Sequence, residues 1–242
     1  MSDSNQMFAF DGRASDSPFV EQIWRSQSDR AGDFLSVAAS NWEMVITQVA
    51  GKLHVTVRGP ETQAKPAYCP ADGEWLGVIF KLGAFMPHLP TIHLVDDELN
   101  LPQAGSQSFW LHSSAWELPT YANVETFIAK LAREGLLVHE PVVEAALQNQ
   151  ATDLSLRSVQ RRFLHATGLT HGAVSQIERA RQATTLLQQG TSILDTVDLA
   201  GYADQPHLTR SLKRLIGQTP AQILSENQRK QMSLFMTPTR AE

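Results

Sequence analysis

A change of sequence rhythm near residue 140 constrains this chain more than any other feature. Ahead of it, prolines at 87, 90, 102 and 119 exclude long helices across 87–119, because proline lacks the backbone donor and clashes with the preceding turn. Short apolar or alternating runs stand there instead. Phe19–Trp24 has strand character. Trp42–Ile46 and Lys52–Val57 flank Ala50-Gly51 and read as a hairpin. Trp75–Phe80 reads as a buried strand and Thr91–Val95 as a weaker one, with loops marked by Gly59-Pro60, Pro66, Pro70 and Gly73. Residues 1–17, rich in Ser, Asp, Asn and Gly, read as a loose tail. The helical period then takes over. Val124, Phe127, Ile128 and Leu131 predict a helix over 123–134 stopped by Gly135, a second helix begins near Pro141, and only helices follow. The predicted fold class is α+β, with a β-rich part over 18–138, an all-α part over 139–228 and a tail over 229–242.

Composition bounds what such a chain does. With 42% hydrophobic and 19% charged residues over 242 positions, it can bury a core in one large or two small domains. The one cysteine, Cys69, excludes an internal disulfide framework and a multi-cysteine zinc site. No apolar run reaches the roughly 20 residues of a membrane helix. Met1–Gln6 is polar and unlike a secretory signal, so the cytoplasm is the expected location. Charge is asymmetric. Residues 1–140 carry nine Lys and Arg against seventeen Asp and Glu, whereas 141–230 carry ten against seven. A net −8 joined to a net +3 points weakly to a polyanionic partner for the back half.

The back half has an inner pattern. Over Ser155–Gly168, with Ser155 as N-cap and Gly168 as stop, Leu156, Val159 and Phe163 form one apolar stripe. Arg157, Gln160 and Arg161 fall on another, and these are side chains that pair bidentately with guanine and adenine edges in a major groove. A longer amphipathic helix follows over 172–188, with Val174, Ile177, Ala180, Ala183, Thr184 and Leu187 inward and Gly190 as its end. Ile193–Leu199, the turn Ala200–Asp204 and Gln205–Leu215 then repeat the short-helix theme. Leu208, Leu212 and Leu215 face the core, and Gln205, His207, Thr209, Arg210 and Lys213 face outward. A final helix spans 221–227. A short helix, a glycine-containing turn and a second helix with basic exposed residues describe a helix-turn-helix.

The stretch Gly201-Tyr202-Ala203-Asp204-Gln205-Pro206-His207-Leu208-Thr209-Arg210, continuing through Leu212, Lys213-Arg214-Leu215 and Gly217 to Pro220, resembles the signature of the AraC/XylS family of bacterial transcription regulators. Val159-Gln160-Arg161-Arg162-Phe163 with Thr167-Gly168-Leu169-Thr170 resembles the end of that family's first helix-turn-helix unit. The likeness covers about 141–227. The front half carries a weaker likeness, in Pro18-Phe19-Val20 and Leu76–Phe80, to an uncharacterised domain found before some such modules, and no ligand follows from it. The resemblance implies two helix-turn-helix units joined by a long helix. It departs at one place: only Pro141–Leu154 precedes the first recognition helix, where the family has two helices. Either 123–134 supplies the missing helix or the first unit is shortened.

Under this resemblance the chain is a sequence-specific regulator of transcription whose partner is double-stranded DNA. A connecting helix of about 17 residues spans roughly 25 Å, which with its turns sets two recognition helices near one DNA turn apart, about 34 Å. Arg157, Gln160 and Arg161 would read bases from the first unit, and Gln205, His207 and Arg210 from the second. Arg162, Thr209, Lys213 and Arg214 would contact phosphates, as would backbone amides near Thr170 and Thr219. Arg210 also has a structural alternative, an ion pair with Asp204 or Asp198, and His207 one as a plain helix-surface residue. A small-molecule effector at the N-terminal domain, a second copy of the chain and, for an activator, RNA polymerase are the further partners; a membrane is not.

Other chemistry is sparse. His139-Glu140-Pro141 lacks the second histidine of a zinc-protease motif. His54, His88, His93 and His112 have no metal spacing, so neither metal nor cofactor is expected. Trp42, Trp75, Phe80 and Trp110 fit a core better than a pocket. Cys69 fits a buried inert thiol better than a nucleophile. The rival from another class is an enzyme or thiol-dependent transferase in the N-terminal half with a helical docking module.

Overall fold

The computed structural model describes residues 8–225. The strands are β1 (Phe8–Ala14), β2 (Val20–Ser28), β3 (Gly32–Ser36), β4 (Glu43–Val49), β5 (Lys52–Arg58), β6 (Lys65–Cys69), β7 (Gly73–Phe80), β8 (Ala84–Phe85), β9 (Glu98–Leu101), β10 (Gln103–Gly105), β11 (Ser108–Leu111) and β12 (Ser114–Glu117). Helix α1 (Val124–Arg133) and strand β13 (Val138–His139) lead into α2 (Pro141–Leu147), α3 (Leu156–Thr167), α4 (His171–Gln188), α5 (Ile193–Leu199), α6 (Gln205–Leu215) and α7 (Pro220–Leu224). The architecture is α+β, a β-rich front followed by helices.

The base of the front half is a six-stranded antiparallel sheet in the order β1-β2-β7-β4-β5-β9. The hairpin read from the sequence is its β4–β5 pair, Val49 facing Lys52 across Ala50 and Gly51 at φ 49° and 73°. Two successive positive φ values give the turn whose twist matches the flanking strands. One face of the sheet carries Ile23, Met44, Val57, Val78 and Phe80 against Phe109 and Trp116 of the three-stranded β10-β11-β12 sheet and against α1. Trp42 stacks on Phe80 at 3.8 Å between ring centroids and donates its indole N–H to the Ala84 carbonyl at 2.6 Å, so these two aromatics are core.

Several sequence expectations change here. Phe8–Ala14 is not part of a loose tail but strand β1, paired along β2 from Phe8 opposite Ser28 to Ala14 opposite Gln22. Its pairing covers what would otherwise be the open edge of β2, and Arg13 anchors it to Glu125 of α1 at 2.9 Å. Met1–Met7 lie outside the described residues. Thr91–Leu94 is a 3₁₀ turn rather than a strand: Pro90 precedes it, and Thr91 and Leu94 turn inward. Strands β3 and β6 form a separate two-stranded ribbon, and Pro66, read as marking a loop, lies within β6. Pro66 is compatible with β6 because that strand has one neighbour, leaving an edge where a missing N–H costs no ladder bond.

The helical half matches its expected bounds closely, and the last described turn, α7, ends at Leu224; residues 226–242, with the predicted end of that helix and the tail, lie outside the described residues. Val124, Phe127, Ile128 and Leu131 of α1 sit in the β core. Helix α1 therefore lends no helix to the second half, and the first helix-turn-helix is short, α2 followed by α3. The halves also share a core. Val37, Ala38 and Phe85 from the β half pack with Val143, Phe163, Ala180, Leu212 and Leu215. None of the described helices is long and apolar enough to cross a membrane.

Candidate nucleic-acid interface

Helix α3 starts where the Ser155 hydroxyl accepts the Ser158 N–H at 3.3 Å and stops at Gly168, φ 74°. The conformation there is left-handed, and a Cβ would come within 3.0 Å of the Thr91 carbonyl. Phe163, Ala166 and Thr167 face the core. Leu156, expected in the inner stripe, is instead 72% exposed, because it occupies the first helical position, ahead of the turn that packs. Arg157, Gln160 and Arg161 are exposed. Arg162 is placed differently: its guanidinium engages both carboxylate oxygens of Glu140, Nε to Oε2 at 2.9 Å and Nη2 to Oε1 at 2.8 Å.

The connecting helix α4 buries the six residues read from the sequence, Val174, Ile177, Ala180, Ala183, Thr184 and Leu187. Its 18 residues span about 27 Å. Thr170 caps it by accepting the Ala173 N–H at 3.2 Å, and Thr219 and Gln222 cap α7 reciprocally. Both hydroxyls thus satisfy amides of their own helices, which reduces the donors left for a phosphate.

The second unit, α5 and α6, is built the same way. Ser192 caps α5, Gly201 makes the turn at φ 67°, and the Asp204 carboxylate accepts the His207 N–H at 2.6 Å to start α6. Burial of Leu208, Leu212 and Leu215 fixes which way α6 faces. Buried Tyr202 braces the turn. Its hydroxyl lies 3.0 Å from Ser211 Oγ, Arg179 sits over its ring, and the His207 ring meets it edge-on at 5.1 Å. His207 is thereby half-buried, as is Thr209, while Gln205, Arg210, Lys213 and Arg214 are exposed. Asp204 acts as cap, and among the described residues Arg210 makes no ion pair, with Asp204 or with Asp198. Helices α3 and α6 thus each combine a buried apolar stripe with an outer face bearing Arg and Gln.

Sequence reasoning missed how the β half holds these helices. At the end of α6, the Leu215 carbonyl accepts the Ala38 N–H at 2.7 Å and the Arg214 carbonyl accepts the Ala64 N–H at 2.9 Å. At the end of α3, the Thr91 hydroxyl lies 3.4 Å from the Ala166 carbonyl. On α4, Ser40 hydrogen-bonds Glu178, and Arg181 donates to the Ala38 carbonyl at 3.5 Å. Carbonyls of a last helical turn have no partner within their own helix. Here the β half supplies donors to carbonyls at the ends of α3 and α6. No local sequence signal marks Ala38 or Ala64 for this.

The remaining candidates separate. Trp75 is half-buried and Trp110 is 45% exposed, so they form no common aromatic pocket with Trp42 and Phe80. Cys69 is 3% exposed, and burial pushes its thiol up, which favours the un-ionised form over a nucleophilic thiolate. The His88 and His112 rings lie 4.6 Å apart, and burial first, then His112, lowers the His88 pKa. A cleft of about 960 Å³ opens beside the shared core, lined by Glu21, Lys81, His139, Glu144 and Arg181 among others from both halves. A second cavity, about 600 Å³, opens in the β half beside Phe10, Trp75 and Tyr121.

A helical unit of this geometry defines a class: a helix-turn-helix protein. Residues 149–226 match the family model described as a helix-turn-helix domain. The chain is similar to the HTH-type transcriptional regulator VirS of Mycobacterium tuberculosis, 35% identical over 106 residues that cover 43% of this chain and 30% of that protein. It is also similar to the HTH-type transcriptional regulator RipA of Corynebacterium glutamicum, 33% identical over 88 residues, 36% of this chain and 27% of that protein. The chain thus spans less than a third of either relative's length. A solved structure, ToxT from Vibrio cholerae, aligns over 89% of this chain and 98% of that one, at 10% identity and a TM-score of 0.37. The C-terminal part of this chain is thus a helix-turn-helix domain.

Proposed function

We propose that this chain is a sequence-specific DNA-binding regulator of transcription that sets α3 and α6 into successive major grooves of one duplex. The observation that carries the reading is the pair of recognition helices within a helix-turn-helix domain, each pinned on its apolar side and each presenting Arg and Gln outward. Arg157, Gln160 and Arg161 from α3, and Gln205, His207 and Arg210 from α6, read base edges; Thr209, Lys213 and Arg214 hold phosphates. The chain works in the cytoplasm and has no catalytic step of its own. In support, the nucleophile of the rival enzyme reading, Cys69, is buried with a raised pKa. An effector entering the cleft between the halves, or the cavity of the β half, would shift the population of DNA-competent arrangements. A second copy of the chain and RNA polymerase complete the set of proposed partners.

The test is selection of bound sequences from random duplexes, followed by a mobility-shift titration of wild type and Arg210→Ala on the selected site. Recovery of one motif, with affinity lost in the variant, supports the reading. Recovery of no motif, or equal affinity of both proteins, overturns it. A catalytic activity lost in Cys69→Ser would establish the rival.

A further inference from the structure

We infer that Glu140 is a positioning residue that ties α3 to the β half and holds Arg162 away from DNA. This rests on the DNA-binding reading above and sharpens it, removing one cation from the phosphate-contacting set. Three observations converge on Glu140. Its carboxylate takes both guanidinium contacts of Arg162, at 2.8 and 2.9 Å. The same carboxylate caps α2 by accepting the Val142 N–H at 3.2 Å, and the Glu140 backbone N–H donates to the Gly83 carbonyl at 2.8 Å. Its side chain is 12% exposed, whereas that of Arg162 is 42% exposed. Glu140 is therefore fixed by three elements at once, and Arg162 comes to it.

Helix geometry points the same way. At 3.6 residues per turn, Arg162 lies roughly 150° around α3 from the centre of the Arg157, Gln160 and Arg161 stripe. With Glu140 holding it there, the Arg162 guanidinium is kept off a duplex that meets this stripe; released, its long stem can turn back toward a flanking phosphate. The tie continues into the β half through β13, where Val138 pairs with Phe85 and His139 with Ala84, and Phe85 meets the His165 ring of α3 edge-on at 5.3 Å. Gly83, at φ +93°, lets this ribbon approach: a Cβ there would stand 3.1 Å from the Glu140 carbonyl. A bidentate Arg–carboxylate pair fixes angle as well as distance, so Glu140 sets how α3 sits relative to α2 and to this ribbon.

The salt dependence of binding counts phosphate contacts, with log K falling against log salt by about 0.9 per contact. Affinity of the full chain for a mixed-sequence duplex is measured over a salt series for wild type, Glu140→Gln, Arg162→Ala and the double variant. The expected slopes are equal for wild type, Arg162→Ala and the double variant, and steeper by about 0.9 for Glu140→Gln, whose freed Arg162 swings to a phosphate. A slope shallower by about 0.9 in Arg162→Ala means that Arg162 already contacts DNA, and overturns the inference. An unchanged slope in Glu140→Gln overturns it too. A purely structural role for Glu140 lowers affinity at every salt concentration without moving the slope. If Glu140→Gln does not fold, Glu140→Asp, whose shorter carboxylate cannot meet all three donors, takes its place. A wild-type chain without salt-dependent affinity overturns the DNA-binding reading and this inference with it.

Discussion

Glu43 offers a measurement of the β half that needs no ligand. It lies on β4 with its side chain 13% exposed, 3.6 Å from Arg58, which is also held by Glu98 at 3.1 Å. Burial raises the Glu43 pKa from 4.5 to about 7, against the opposing pull of Arg58 and a hydrogen bond from Trp24. The sign follows from proton linkage: the folded state binds this proton more tightly than the unfolded one, so stability is greatest below about pH 4.5 and declines as pH rises to about 7. At 1.36 kcal/mol per pH unit, that displacement costs about 3 kcal/mol once complete. Glu43→Gln keeps the shape and removes the ionisation, and Arg58 retains Glu98. Urea unfolding should therefore show the variant more stable than wild type by about 3 kcal/mol near pH 8 and equal to it near pH 4. A wild type as stable as the variant near pH 8 would refute the reasoning, since Arg58 would then outweigh desolvation.

Three further predictions follow from the geometry. Arg210→Ala should lower affinity for the selected site by about 1–3 kcal/mol while leaving mixed-sequence binding less affected, read by mobility shift on both duplexes. Asp204→Ala removes the α6 cap and should cost about 0.5–2 kcal/mol of stability, read as a lower urea midpoint. Gly77→Ala puts a Cβ 2.0 Å from the Trp24 ring on the neighbouring strand, and should cost at least about 1–3 kcal/mol in the same assay.

The helical half was legible because its signals are local. Caps such as Ser155 and Asp204, stops such as Gly168 and Gly190, and stripes such as Leu208-Leu212-Leu215 act within a few residues, so periodicity located α5 and α6 at their observed bounds. The β half was less legible because its signals are distant. Asp11 and Gly12 of β1 carry little strand propensity, and the strand exists because β2 offers an edge. Thr91–Leu94 has strand-like residues, but Pro90 and the packing of Thr91 near Ala166, 75 positions away, turn it into a helix. In the candidate site, residue types and exposure were readable for Arg157, Gln160, Arg161, Gln205 and Arg210. The engagement of Arg162 was not, because its partner lies 22 positions earlier, beyond a turn.

Sharing of Val37, Ala38 and Phe85 with the helices has a consequence for how a signal would travel. The β half and the helices are welded along one seam. A distortion of the segments around Ala38 and Ala64 reaches the foot of α6 through two amides, and heating should melt strands and rods together rather than one before the other.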